Sequence, residues 1–158
     1  MTRVLFVCHG NICRSPMAEF IFKAMVKKKG LEKEFFIESA AVSSEEMGNP
    51  IYPPAKSCMN RHGVWFDPAK RSRKIVAQDY DRFDYIICMD SYNMRLIRHT
   101  IPGDPEGKIH LLMPFAGVSR DVADPWYTGD FEVTYRDLMV GCAALLENIC
   151  GEKGLLLH

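Results

Sequence analysis

The chain has 158 residues, of which 47% are hydrophobic, and its 20 basic side chains are balanced by 20 acidic ones. This length suits one domain with a substantial core, and the balanced charge argues against nucleic acid or an anionic membrane as a partner. No apolar run is long enough for a membrane span or a signal peptide, so we expect a cytoplasmic protein. The six cysteines include no CxxC pair and no Cys/His group at zinc spacing, which favours free thiols and no metal.

Strand-like and helix-like segments alternate along the chain. Apolar segments typical of strands lie at residues 3–7, 35–42, 83–90 and 108–113. Segments with helical spacing follow at residues 14–30, 53–63, 91–99 and from 130 onward. Ser15 and Pro16 are suited to begin the first helix, and Gly30 to end it. The alternation predicts a doubly wound α/β fold with a parallel sheet, in which ligands bind beyond the carboxyl ends of the strands.

The first predicted strand ends at Cys8, and the next helix begins just after Arg14, in the segment VCHGNICRS. N–H groups in such a loop can converge on one anion, and Gly10 and Asn11 tolerate the positive φ angles that this requires. The planar guanidinium of Arg14 suits a phosphate-like group. The same positive field would stabilise a thiolate at Cys8, which could then act as a nucleophile toward phosphorus.

A proton donor is needed for the oxygen that such a nucleophile displaces. Three aspartates precede a proline in this chain: Asp67, Asp104 and Asp124. Of these, only Asp124 is followed by two aromatic residues, Trp126 and Tyr127. Its loop follows the fourth predicted strand and therefore lies on the predicted ligand side, where the two rings could form walls around an aromatic leaving group.

Two motifs carry a resemblance to a known family. The segments VCHGNICRSPMAE, at residues 7–19, and DPWYTGDF, at residues 124–131, resemble those of the low-molecular-weight protein tyrosine phosphatases. The likeness extends over essentially the whole chain. It implies a single phosphatase domain over residues 1–158, with a four-stranded parallel sheet and helices on both faces.

The resemblance implies a phosphotyrosine phosphatase that works through a phosphocysteine intermediate. Cys8 would attack phosphorus, Arg14 would hold the phosphate oxygens, and Asp124 would protonate the leaving phenolate and later activate water. Ser15 would hydrogen-bond the thiolate. The residues implied to bind phosphate and substrate are His9, Gly10, Asn11, Ile12, Cys13, Arg14, Ser15, Trp126 and Tyr127. Those implied to support the loop are Ser39 and Asn93.

The resemblance also implies that no metal or cofactor is needed, because positioning and fixed dipoles stabilise the transferred group. Substrates would be phosphotyrosine proteins or small aryl phosphates, and the protein would be a monomer or a weak dimer. In this family a cysteine placed like Cys13 can form a reversible disulfide with the nucleophile, which would protect Cys8 from irreversible oxidation.

The chain departs from the family pattern at three places. Family members often have two tyrosines after Asp-Pro, but Trp126 replaces the first of them here. Lys70 stands where many members carry a histidine that supports the loop. Glu45 and Glu46 stand at the substrate rim, where an aromatic residue is common, and should disfavour acidic residues flanking the phosphotyrosine.

Two related enzymes and a binding module are the alternatives. An arsenate reductase would need further cysteines after the third strand, but Cys88 ends that strand and no cysteine follows before Cys142. A phosphoarginine phosphatase would have threonine before the second cysteine of the loop, where this chain has Ile12. A module that only binds phosphotyrosine would not need nucleophile, arginine and acid together, so the phosphatase is favoured over all three.

Overall fold

The computed structural model describes residues 1–155, so residues 156–158 of the predicted domain lie outside the described part. Four strands form one sheet in the order β2-β1-β3-β4, and every neighbouring pair is parallel. The strands are Thr2–Cys8 (β1), Phe35–Ala41 (β2), Tyr85–Cys88 (β3) and Ile109–Leu111 (β4). The predicted four-stranded parallel sheet is therefore confirmed.

Helices connect and cover these strands. They are Arg14–Lys28 (α1), Pro53–Arg61 (α2), Asp79–Arg82 (α3), Ser91–Leu96 (α4), Pro125–Thr128 (α5) and Phe131–Lys153 (α6). Short 3-10 turns lie at Glu32–Glu34, Ile97–His99 and Met113–Ala116. No helix within residues 1–155 combines the length and the apolar character needed to cross a membrane.

Strand β1 is buried on both faces of the sheet, because none of the four residues from Val4 to Val7 has exposed surface. Val4 and Phe6 belong to a core shared with α1, α2 and α6. Leu5 and Val7 belong to a second core, on the other face, shared with α3 and α4. Both faces are therefore covered by helices, as predicted, and this explains why the strand sequence shows no polar alternation.

The sheet order places β1 between β2 and β3. The strands that follow β1 in the sequence are therefore added on opposite sides of it, β2 on one side and β3 on the other. In doubly wound sheets a cleft opens at this position, outside the carboxyl ends of the strands. β1 ends at Cys8, and the segment after β3 begins with Met89 and Asp90. The topology thus brings these two strand ends to the same cleft.

Several local predictions differ from the structure. Ser15 does not cap α1: the helix begins at Arg14, no side chain caps it, and the Ser15 hydroxyl faces the Cys8 sulfur instead. Strands β3 and β4 are shorter than the predicted segments 83–90 and 108–113. The helices α3 and α5 have only four residues each, too few to show a helical period in the sequence.

Gly141 allows α6 to approach the segment after β4 closely. A Cβ atom at this position would lie 2.6 Å from Leu112 Cγ, and Leu112 is fully buried. We expect Gly141→Ala to lower the free energy of unfolding by about 1–2 kcal/mol, because overpacking outweighs the better helix propensity of alanine. Gly151 lies in the same helix with open space around it, so Gly151→Ala should instead raise stability by up to about 1 kcal/mol. Urea denaturation measures both changes, and equal effects of the two substitutions would contradict the close approach.

Candidate active site

A pocket of about 520 Å³ opens at the carboxyl ends of β1 and β3. Its floor is the loop between β1 and α1, and its rim comes from three later segments of the chain. The residues that line it are Cys8, His9, Gly10, Ile12, Cys13, Arg14, Glu45, Glu46, Asp90, Tyr92, Asp124, Trp126 and Tyr127. Most of the residues that the sequence predicts to bind phosphate and substrate therefore lie around one cavity.

The loop's carbonyl groups are held on its outer side by other parts of the chain. The carbonyl oxygens of residues 8, 9, 10 and 12 accept hydrogen bonds from Val42 N–H at 3.0 Å, Ser43 N–H at 3.2 Å, the Ser72 hydroxyl at 2.7 Å and Tyr52 N–H at 2.9 Å. In a trans peptide the C=O and the next N–H point in opposite directions. The anchored carbonyls therefore turn the N–H groups of the following residues away from these contacts, as an anion-binding loop requires.

Asn11 is the only non-glycine residue with a positive φ among residues 1–155, at 58°. Its buried side chain holds this strained conformation, because its Nδ2 donates to Ser15 Oγ at 2.8 Å and to Ser39 Oγ at 2.9 Å. Gly10 also tolerates a positive φ, but it does not adopt one in the structure. A Cβ atom at this position would lie 3.0 Å from Cγ of Glu46, so that side chain would have to shift slightly.

The Cys8 sulfur faces three hydrogen-bonding groups. Asn11 N–H donates to Sγ at 3.3 Å, Ser15 N–H donates at 3.4 Å, and the Ser15 hydroxyl lies 3.0 Å away. A negatively charged sulfur is the species that such donors match. Cys13 differs, because burial, with the charges of Cys8 and Asp124, raises the pKa of its thiol far above the usual value.

Arg14 carries a buried guanidinium that links three segments. Its Nη2 donates to Asp90 Oδ2 at 2.7 Å and lies 3.5 Å from Asp124 Oδ2, and its Nη1 donates to the Val122 carbonyl at 3.2 Å. Burial by itself would lower the pKa of Arg14, but the charges of Cys8, Asp90 and Asp124 raise it above the usual value. The side chain is therefore a fixed positive charge beside the Cys8 sulfur.

Asp124 begins α5 and faces Arg14 at the same time. Its Oδ1 accepts a hydrogen bond from Trp126 N–H at 3.0 Å, which leaves Oδ2 directed toward Arg14 and the pocket. The two other aspartates that precede prolines occupy turns: Asp67 accepts from the N–H of Ala69, and Asp104 accepts from several donors near β4. Of the three, Asp124 alone lines the pocket.

The rim combines aromatic rings and acidic groups. Trp126 is 60% exposed and packs against Tyr52, with ring centroids 4.7 Å apart, while Tyr127 is almost fully exposed. On the other side, Glu45 pairs with the ring of His9 at 3.0 Å. Tyr92 stacks on the same His9 ring, so aromatic and acidic side chains both contribute to the rim.

Comparisons with known proteins agree with this geometry. The model of the family described as low molecular weight phosphotyrosine protein phosphatase matches residues 3–154. The chain belongs to this family. The family resemblance drawn from the two sequence motifs is thus confirmed.

Relatives and solved structures match nearly the whole chain. The low molecular weight protein-tyrosine-phosphatase YfkJ of Bacillus subtilis is 41% identical over 157 residues, which cover 98% of this chain and all of the relative. The crystal structure of YfkJ matches with a TM-score of 0.91 over 97% of each chain. The low molecular weight phosphotyrosine protein phosphatase of Homo sapiens is 38% identical over 149 residues, 91% of this chain and 93% of the relative. The structure of a Drosophila arginine phosphatase also matches, with a TM-score of 0.84 at 31% identity, covering 94% of this chain and 98% of that one.

The predicted supporting residues lie beneath the pocket in this phosphatase family member. Ser39 is fully buried and contacts Asn11, whereas Asn93 accepts from the N–H groups of Met89 and Asp90 and so holds the segment that contacts Arg14. Lys70, at the position aligned with a histidine, donates to the Ser39 carbonyl at 3.1 Å.

Three site residues were missed in the sequence: Asp90, Tyr92 and Glu19. Asp90 and Tyr92 lie in the segment just after β3, and the position of β3 beside β1 in the sheet was the available signal. Glu19 lies under the loop. The sequence feature that could have indicated it is a carboxylate within the buried, apolar face of α1, which also carries Met17 and Phe20.

One group of side chains within residues 1–155 could hold a metal ion: Cys58, His62 and Glu132, which lie away from the pocket. Cys58 lies on α2 and His62 follows the last residue of this helix, so the two side chains are four residues apart and both meet Glu132 of α6. Hydrogen bonds from His62 and Arg61 hold the pKa of Glu132 below its usual value. The carboxylate is thus already neutralised, and a metal ion would have to displace Arg61.

Cys8 should react with iodoacetate before the other cysteines. Cys8 and Cys13 line the pocket, but burial raises the pKa of Cys13, as it does for Cys88 and Cys142 in the core, and a neutral thiol is a poor nucleophile. We expect carboxymethylation of Cys8 near neutral pH to be at least about tenfold faster than at Cys13, and inorganic phosphate to slow it. Peptide mass spectrometry locates the modification.

The Cys13→Ser variant is the matched control and should keep the rapid reaction, whereas Cys8→Ser should lose it. First modification at Cys13 or Cys58 would show that the pocket does not activate Cys8.

Proposed function

We propose that the chain is a protein-tyrosine-phosphatase that hydrolyses phosphotyrosine monoesters through a phosphocysteine intermediate. One observation carries this proposal: the Cys8 sulfur, the Arg14 guanidinium and the Asp124 carboxylate face one pocket, with the last two groups 3.5 Å apart. Membership of the family supports the same activity. The three groups provide the nucleophile, the phosphate clamp and the acid that such a reaction uses.

In the first step, the Cys8 thiolate attacks phosphorus on the side opposite the tyrosine oxygen. The S–P bond forms while the bond from phosphorus to the phenolic oxygen breaks, and Asp124 gives its proton to that oxygen. In the second step, Asp124, now a carboxylate, takes a proton from a water molecule whose oxygen attacks phosphorus. The S–P bond breaks, the thiolate returns, and inorganic phosphate leaves.

The loop and Arg14 would stabilise the charge on the transferred phosphoryl group. Its equatorial oxygens need donors that are already oriented, since reorganisation during the reaction would raise the barrier. The N–H groups following the anchored carbonyls and the two-pronged guanidinium of Arg14 supply such donors. The Ser15 hydroxyl would stabilise the thiolate when it acts as nucleophile and when it leaves.

The rim suits an aromatic substrate without strongly acidic neighbours. Trp126 and Tyr127 would flank the phenyl ring, and Ile12 on the loop would contact its edge. Glu45 and Glu46 also line the pocket, and their charges would repel acidic residues beside the phosphotyrosine. The side chain of His9 pairs with Glu45 and takes no part in the proposed chemistry.

The proposal also covers the domain, its location, its oligomeric state and its substrates. Residues 1–158 would act as one phosphatase domain in the cytoplasm, as a monomer or weak dimer, on phosphotyrosine proteins or small aryl phosphates. Cys13 would form the reversible disulfide with Cys8. The arsenate reductase alternative is not favoured, because Cys88, Cys142 and Cys150 are buried in the two cores rather than at the pocket.

Hydrolysis of para-nitrophenyl phosphate tests the proposed mechanism. We expect turnover by the wild type that EDTA does not reduce, and no turnover by Cys8→Ser. Asp124→Asn should lower kcat for phenyl phosphate by about 10²–10⁴-fold, the usual contribution of a general acid, with a smaller loss for para-nitrophenyl phosphate, whose leaving group needs less protonation.

Asp130→Asn is the matched control, because this exposed aspartate lies in the same segment and an asparagine keeps its role as the cap of α6. Its kcat should stay within about twofold of the wild type. Equal rates for wild type and Asp124→Asn would show that Asp124 is not the general acid. Turnover by Cys8→Ser would show that the reaction does not pass through a phosphocysteine.

Ile12 should favour phosphotyrosine over phosphoarginine. Its buried side chain presents methyl groups to the pocket, which suit a phenyl ring but leave a guanidinium without a hydrogen-bond acceptor. The preference is measured as kcat/KM for a phosphotyrosine peptide divided by kcat/KM for a phosphoarginine peptide. We expect Ile12→Thr to lower this ratio by about tenfold or more.

Ile12→Val has the same shape as the threonine variant without its hydroxyl, so it should keep the wild-type preference. A phosphoarginine preference in the wild type would instead place this chain with enzymes such as the Drosophila arginine phosphatase that it resembles.

A further inference from the structure

A second cluster of chemically reactive side chains lies between α2 and α6, away from the pocket. Cys58 lies on α2, His62 follows the last residue of that helix, and Glu132 lies in the first turn of α6. The Cys58 sulfur, a ring nitrogen of His62 and a carboxylate oxygen of Glu132 lie within 4.8 Å of one another. Thiolate, imidazole and carboxylate are the side-chain groups that bind zinc in proteins.

The two helices bring the three ligand atoms together. Residues four apart on a helix are neighbours on its surface, and His62 continues the turn of α2, because its N–H donates to the Cys58 carbonyl at 3.3 Å. Paired metal ligands on helices use the same spacing. Glu132 meets this face from α6: its Oε2 lies 2.5 Å from His62 Nε2, and its Oε1 lies 3.8 Å from Cys58 Sγ.

A tetrahedral zinc ion would need only small movements of these groups. With a Zn–S bond of about 2.3 Å and Zn–N and Zn–O bonds of about 2.0–2.2 Å, neighbouring ligand atoms lie about 3.3–3.6 Å apart. The His62 and Glu132 side chains are 34% and 37% exposed, so both can rotate to reach this spacing around the buried sulfur. A water molecule would complete the fourth position.

Two of the three ligands are already prepared for a metal ion. The ring of His62 stacks on Tyr135, with ring centroids 3.8 Å apart and planes 9° from parallel, so its orientation is fixed. Groups around a ligand that fix its orientation raise metal affinity. Glu132 carries its negative charge, because hydrogen bonds from His62 and Arg61 hold its pKa below the usual value.

Arg61 competes with a metal ion for the same carboxylate. Its Nε and Nη2 donate to Glu132 Oε1 at 2.9 and 2.8 Å, but its side chain is 54% exposed. An exposed ion pair contributes little to stability, because water solvates both partners. Arg61 can therefore turn into solvent when a metal ion takes its place.

The sulfur decides which metal would bind. Burial, with the charge of Glu132, raises the pKa of the Cys58 thiol to about 11, so the metal has to displace a proton near neutral pH. Thiolate suits zinc, whereas Mg²⁺ and Ca²⁺ take oxygen ligands. On binding, the Zn–S bond forms, the S–H bond breaks and the proton passes to water. A proton on His62 Nε2 would leave in the same way.

We propose that Cys58, His62 and Glu132 form a zinc site that joins α2 to α6. The inference does not depend on the proposed function, because none of the three residues lines the pocket. Removal of the ion by EDTA would therefore leave the chemistry at Cys8 intact.

The joined helices also hold the aromatic part of the rim. Tyr52 directly precedes α2 and packs on Trp126 and on Phe131, the first residue of α6, with ring centroids 4.7 and 6.2 Å apart. Zinc between the two helices would thus hold Tyr52 and Phe131 against each other.

Equilibrium dialysis of the reduced protein against zinc chloride, with bound metal measured by mass spectrometry, tests the proposal. Two further cysteines line the pocket, so the Cys8→Ser/Cys13→Ser double variant is measured beside the wild type. We expect both proteins to bind one zinc ion per chain, with a Kd of about 1 μM or lower. Loss of zinc binding in the double variant would place the ion at the pocket and overturn the proposal.

Substitution of the ligands locates the ion. Cys58→Ser and His62→Gln should each raise the Kd by about 100-fold, because each removes one of three bonds to the metal. Cys150→Ser is the matched control: this cysteine is also buried but lies outside the cluster, and the Kd should stay within about twofold of the wild type. If Cys58→Ser fails to fold, as circular dichroism would show, His62→Gln still decides. An unchanged Kd in His62→Gln would contradict the site.

Arg61→Gln distinguishes a metal site from a simple ion pair. Removal of a group that competes for Glu132 and repels a cation should lower the Kd for zinc by about fivefold or more. Arg82→Gln is the matched control, because Arg82 is a similarly exposed arginine that pairs with a different carboxylate, Asp79. Weaker zinc binding by Arg61→Gln would show that Glu132 is not a ligand.

Thermal unfolding gives a second readout. Zinc at about 100 times its Kd should raise the Tm of the wild type by about 5 °C or more, and that of His62→Gln much less. Mg²⁺ at the same concentration should leave the Tm unchanged. Equal increases for the wild type and His62→Gln would mean that zinc binds elsewhere, which would overturn the proposal.

Discussion

The site depends on one constraint: the loop from Cys8 to Ser15 must keep its carbonyl groups turned outward. A short loop cannot do this alone, since its own N–H groups would otherwise pair with those carbonyls. Residues that follow β2, namely Val42, Ser43 and Tyr52, and the Ser72 hydroxyl supply the outer donors instead. The positive φ of Asn11 costs roughly 1–3 kcal/mol for a non-glycine residue, and the buried hydrogen bonds of its side chain offset this strain.

Burial of the Arg14 guanidinium imposes the next requirement, because a charge removed from water needs opposite charges nearby. Asp90 and Asp124 meet it from two segments that are far from Arg14 in the sequence. Asp90 can reach Arg14 because β3 lies beside β1 in the sheet. The strand order thus determines the charge balance of the pocket. The same two aspartates keep Arg14 oriented toward the position where a phosphate group would bind.

The sequence was informative where a local pattern decides the structure. The unbroken apolar run of β1 and the long amphipathic α6 were predicted because burial and helical period are visible in the residues themselves. Predictions failed where a distant partner decides. Ser15 looks like a helix cap, but the buried sulfur of Cys8 is a nearer partner for its hydroxyl than the helix N–H groups.

Lys70 shows why a departure from a family motif has to be judged by the contact it makes. What Glu19 requires is a positive charge within hydrogen-bonding distance of the oxygen that faces Ser39, and the lysine provides it. An imidazole at such a position gains or loses its charge near neutral pH, whereas an ammonium group carries its charge through that range. Lys70 therefore keeps the Glu19 carboxylate paired through the neutral pH range, in which an imidazole would lose its charge.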